Sequence, residues 1–65
     1  MTIFQAMRKI LSALNTEDEI TLEECEDLIS DPSMAIKTIV ELEAIGKIIF
    51  DRSSLSVRKY QDQEV

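Results

Sequence analysis

The sequence predicts an α+β domain, mainly α, in which three helices precede a two-stranded β-hairpin. Three observations predict it. Ile3, Phe4, Met7, Ile10, Leu11 and Leu14 recur at helical spacing near the N-terminus. The run from Asp31 to Gly46 carries both a start and a stop signal for a helix. Beyond Gly46, two segments rich in β-branched and aromatic residues flank Arg52-Ser53-Ser54.

The first helix is expected over about 2–14. Its apolar residues form one stripe at about 100° per residue, with Gln5, Arg8, Lys9 and Ser12 opposite. Asn15 reads as its stop, and Thr16–Glu19 as a loop. Ile20-Thr21 is long enough only for a short bridging strand. Thr21-Leu22-Glu23-Glu24 has the form of a capping box, in which hydroxyl and carboxylate each satisfy an unpaired amide of the first turn. A second helix over about 22–30 then turns Leu22, Cys25, Leu28 and Ile29 inward. Thr16-x-x-Glu19 repeats the pattern, but a helix begun there would scatter Ile20 and Leu22 to different faces, so the later start is preferred.

The third helix is expected over about 32–45. Asp31 can accept hydrogen bonds from the free amides of its first turn. Pro32 suits the first helical position, where its missing N–H costs nothing. Gly46, the only glycine in the chain, suits the left-handed conformation that ends a helix. Ala35, Ile39 and Leu42 lie within about 60° of one another and face the core. Ile36, Val40 and Ala44 form a second apolar stripe about 100° or more away, covered by other elements or left as a protein-contact surface. Strands follow at about 47–51 and 55–60, joined by the tip Arg52-Ser53-Ser54, and Gln61–Val65 reads as a frayed polar tail.

Sixty-five residues form a single domain spanning 1–65, with a core small enough that a partner subunit would add stability. No apolar stretch reaches membrane-spanning length, and no basic-then-apolar leader is present, so a cytoplasmic protein is expected. One cysteine cannot form an internal disulfide, and Cys25 on the inward side of its helix reads as a buried structural thiol. The net charge of −6 opposes a broad attraction to phosphate. Between Lys9 and Lys37 there is no basic residue, while Glu17, Asp18, Glu19, Glu23, Glu24, Glu26, Asp27 and Asp31 crowd that interval. Such a run reads as the solvated face of a helix and its loop, or as a surface for a basic partner. Histidine is absent, removing the commonest general base and metal ligand. The acidic run lacks the spacing and central glycine of a calcium loop. No glycine-rich phosphate cradle or activated serine is found. An enzyme, a cofactor, a metal site and a small-molecule substrate are therefore not expected.

Helix, short strand, helix, tight turn, helix and hairpin is an order that resembles the winged helix-turn-helix family of small prokaryotic or viral-type regulators. The likeness covers roughly residues 3–60, and its most specific piece is Leu42-Glu43-Ala44-Ile45-Gly46-Lys47-Ile48. A three-helix domain with a merely ordered tail is the alternative fold. The resemblance implies that the third helix enters a DNA major groove while the hairpin tip touches the backbone or minor groove. Carried over to this chain, the DNA-binding candidates are Ser33, Lys37 and Thr38 on the helix and Arg52, Ser53, Arg58 and Lys59 on the wing. The outward positions of that helix also include Met34, Ile36, Val40 and Glu41, poor tools for reading bases, and Glu41 and Glu43 repel phosphate. Two functions stay open. One is a transcription regulator that binds double-stranded DNA weakly, as a dimer. The other is a protein–protein interaction module that uses Ile36, Val40 and Ala44, or the acidic second helix, to hold a partner or a second copy.

Overall fold

The computed structural model describes residues 1–60, so the frayed tail expected at 61–65 lies outside the described residues. Three helices and a three-stranded antiparallel sheet follow in the order α1 (Ile3–Thr16), β1 (Glu19–Thr21), α2 (Leu22–Ile29), α3 (Pro32–Ala44), β2 (Ile48–Asp51) and β3 (Ser56–Lys59).

The start of α1 is a capping box not anticipated from the sequence. The Thr2 hydroxyl accepts from the Gln5 amide at 3.2 Å, and the Gln5 side chain accepts from the Thr2 amide at 3.0 Å. The helix runs two residues past the expected end, and the Thr16 hydroxyl donates back to the Ala13 carbonyl at 3.0 Å. Its buried positions are Ala6, Ile10 and Leu14. Phe4, expected inside, is 74% exposed. At about 100° per residue it sits about 120° round the helix from the centre of the buried arc.

Both ends of α2 are set locally. Thr21 and Glu24 form the expected box, with the Thr21 amide donating to the Glu24 carboxylate at 2.8 Å and the Glu24 amide to the Thr21 hydroxyl at 3.1 Å. Glu23 and Glu24 in the first turn also complement the positive end of the helix dipole. Ser30, in the left-handed conformation (φ 63°), terminates the helix. Cys25 and Ile29 are buried, but Leu28, expected inside, is exposed at the edge of the helix.

The Asp31 carboxylate accepts from the Ser33 and Met34 amides at 3.1 and 3.3 Å, and Pro32 opens α3. At the far end Lys47 N–H donates to the Leu42 carbonyl and Gly46 N–H to the Glu43 carbonyl, at 2.9 and 3.1 Å. That pair of bonds is the Schellman closure, and Gly46 at φ 78° supplies its left-handed residue. Ala35, Thr38, Ile39 and Leu42 face inward.

The hairpin expected as a two-stranded wing is part of a larger sheet. β3 lies in the middle, paired with β2 on one side and β1 on the other. Ile20, Val57 and Phe50 are in register across the three strands, and with Ile48 they turn toward the helices. The turn spans 52–55, so Leu55, expected to open the last strand, belongs to the turn and has φ 53°. The core joins Ala6, Ile10, Leu14, Ile20, Cys25, Ile29, Ala35, Ile39, Leu42, Ile48 and Val57. No helix among the described residues is long and apolar enough to cross a membrane.

Candidate interaction surface

An apolar surface lies between α3 and the hairpin. Leu22, Ile36, Ile39, Val40, Glu43, Phe50, Arg52 and Leu55 line a groove of about 340 Å³ there. Ile36 and Val40 come from the second stripe of α3 and are half exposed or more. The hairpin tip supplies Leu55, 52% exposed, and the start of α2 supplies Leu22. A backbone bond from Leu22 N–H to the Leu55 carbonyl at 2.8 Å ties the tip to α2 and fixes the width of the groove. One acid, Glu43, and one base, Arg52, stand among these apolar residues.

Leu55 is the unusual member. A left-handed conformation is uncommon for a bulky residue and costs roughly 1–2 kcal/mol. Here it holds an apolar side chain at the groove instead of burying it in the core.

The residues expected to contact DNA do not converge. Thr38 is fully buried, and its hydroxyl donates to the Met34 carbonyl at 2.6 Å, so it cannot reach a groove of DNA. An inward threonine on a helix satisfies its hydroxyl by this back-bond. Ser33 and Lys37 are exposed but do not line the groove. The Ser53 hydroxyl and amide both donate to Asp51, at 2.6 and 2.9 Å. Those donations hold the Asp51 carboxyl below the usual carboxylate range. Arg58 is directly opposite Glu19 across β1. Lys59, one residue on, projects from the other face of the strand, and its ammonium donates to the Asn15 side chain at 3.4 Å. Of the expected wing cations, Arg52 alone lines the groove beside α3.

Of the expected protein-contact residues, Ile36 and Val40 meet in the groove, whereas Ala44 is exposed outside it. Leu22, Phe50 and Leu55 complete the surface and were missed by sequence reasoning. A leucine directly after two serines at a hairpin tip was the available signal, but strand alternation explained it more simply.

The acidic residues of α2 and its preceding loop are mostly exposed, as a solvated face requires. Cys25 is buried, and burial, aided by Glu24 and Glu26, pushes its thiol up to about 11. It is a protonated core thiol, unsuited to nucleophilic chemistry. Among the described residues no group of three or more His, Cys, Asp or Glu side chains is placed to hold a metal ion. No protein family, curated protein or solved structure matches this chain.

Proposed function

We propose that the chain is a winged-helix protein-interaction module that pairs with a second copy of itself through the groove between α3 and the hairpin. The winged-helix reading is supported by the element order and by the strand order β1-β3-β2, in which the hairpin's second strand pairs with the short strand before α2. The interaction reading is carried by one observation. Where the family resemblance implies a polar recognition face, this chain exposes Ile36, Val40 and Leu55 around an apolar groove.

A second copy fits that groove by charge. Glu43 and Arg52 are its only charged lining residues among those described. A two-fold contact brings each surface against itself, so the Glu43 of one chain can meet the Arg52 of the other. A domain this small also gains stability from burying apolar surface against a copy.

Sedimentation tests the reading. The wild type is expected to dimerise with rising concentration. Ile36→Asp and Val40→Asp are expected to give folded monomers, because both side chains are solvent-exposed in the single chain. Leu55→Gly is expected to weaken pairing while raising monomer stability, since glycine relieves the φ 53° conformation. A wild type that stays monomeric at high concentration, or one destabilised as a monomer by Ile36→Asp, defeats the proposal.

Weak DNA binding is the second reading. Lys37 and Arg52 favour it, because both are exposed on the two elements that the family brings to the duplex. Pairing through Ile36 and Val40 would crowd that face, so the readings compete. Retention of the Val40→Asp monomer on duplex DNA, lost between about 50 and 200 mM salt, would favour DNA.

A further inference from the structure

Between α1 and the end of α3 lies a second groove, of about 400 Å³. Its apolar part is Phe4, Met7, Leu11, Leu42 and Ile45, and its polar lining is Arg8, Ser12, Asn15 and Lys47. Phe4 and Ile45 are among the large apolar side chains that the core leaves outside, at 74% and 53% exposure. Asn15 in turn accepts from the Lys59 ammonium, which brings a third cation to this rim. Three of the seven Lys and Arg residues of a chain of net charge −6 therefore gather at one groove. No acidic side chain among the described residues lines it.

We infer that this groove is a docking site for an acidic amphipathic helix of a partner protein. The chemistry of the lining selects that occupant. An apolar floor requires apolar side chains at helical spacing, and the cationic rim requires carboxylates beside them. A second copy docked by two-fold symmetry would bring Arg8 and Lys47 against Arg8 and Lys47, which like charges oppose. A nucleic acid strand would find a single aromatic ring, Phe4, for stacking, and otherwise a floor of Met7, Leu11, Leu42 and Ile45 that offers phosphates no donors. The site is separate from the α3–hairpin groove and shares none of its lining residues.

The test is a titration of the full chain with a peptide of about 15 residues, near the minimum for an isolated helix, bearing leucines on one face and Glu and Asp beside them. Amide NMR shifts give the site, and fluorescence anisotropy gives the affinity. Shifts are expected at Phe4, Arg8, Leu11, Asn15, Ile45 and Lys47, with affinity falling as salt rises. Combining Arg8→Glu with Lys47→Glu is expected to weaken binding by about tenfold. Phe4→Ala is expected to weaken it similarly, and both sets of variants should keep wild-type circular dichroism because the changed side chains are exposed. Ile36→Asp should leave peptide binding unchanged, which separates this site from self-pairing.

Four results would each overturn the inference. One is no binding at about 1 mM peptide, and a second is equal binding of an analogue with Gln and Asn in place of the acids. Another is a single-stranded oligonucleotide that binds this groove where the peptide does not. The last is loss of self-association in the Arg8→Glu and Lys47→Glu variant, which would assign the face to a second copy.

Discussion

Replacing Gly46 by alanine isolates a single energetic contribution. Gly46 has φ 78°, and a Cβ built there would meet no atom within 4 Å. Steric contact therefore adds nothing, and the cost is the left-handed backbone alone, roughly 1–2 kcal/mol for an L-residue. Alanine also narrows the unfolded ensemble, which returns roughly 0.4–1 kcal/mol to the folded state. The net loss is about 1 kcal/mol, or a Tm lower by about 4–8 °C for a domain of this size. Thermal melts followed by circular dichroism measure it. The chain is short enough for chemical synthesis, so D-alanine at the same position supplies the mirror experiment. D-alanine prefers positive φ and should raise stability above wild type by up to about 1 kcal/mol. An L-alanine variant as stable as wild type would show that the φ 78° conformation is not required. A loss above about 3 kcal/mol would show that the Cβ meets atoms after all.

Thr21→Ala removes the hydroxyl half of the α2 capping box and should cost about 1 kcal/mol in a urea titration. Ile10→Ala opens a cavity at a fully buried position and should cost about 2–5 kcal/mol, a large share of what a domain this small possesses. Cys25 should resist alkylation in the native state and react on unfolding. Its folded thiol titrates at about 11 against an ordinary 9.0, so between those values the unfolded chain releases a proton that the folded chain keeps. Stability is therefore undiminished below about pH 9 and should fall as pH rises toward about 11, read as a declining urea midpoint that is absent in Cys25→Ala.

Local signals in the sequence were legible because they act over three or four residues. Asp31 with Pro32, the box of Thr21 and Glu24, and Gly46 each fix a helix end through bonds that any tertiary setting preserves. The facing of α1 was less legible. Counting large apolar residues centred the stripe near Met7, whereas the buried arc centres on Ile10 and includes Ala6. Alanine adds little to an apolar tally, yet a small side chain is what lets a neighbouring element approach closely. Phe4 was drawn inward by the same tally.

The candidate surface was half legible for a related reason. The stripe of Ile36 and Val40 follows from helical period alone, but Leu55 and Leu22 reach it only through turn geometry and one long-range backbone bond. Thr38 shows the converse. Its polarity suggested an outward position, and a bond to its own helix made burial tolerable.

The central place of β3 bears on how the chain is made. β1 and β2 share no ladder with each other and meet only through β3, which leaves the ribosome after both of them. Until Ser56–Lys59 emerges, the nascent chain holds two strands with unpaired edges and lacks the Val57 side chain that fills the space between Ile20 and Phe50. Helices can form earlier, because their bonds are local. The sheet cannot close before Ser56–Lys59 is available, so a chain truncated before Ser56 should be a species without a sheet.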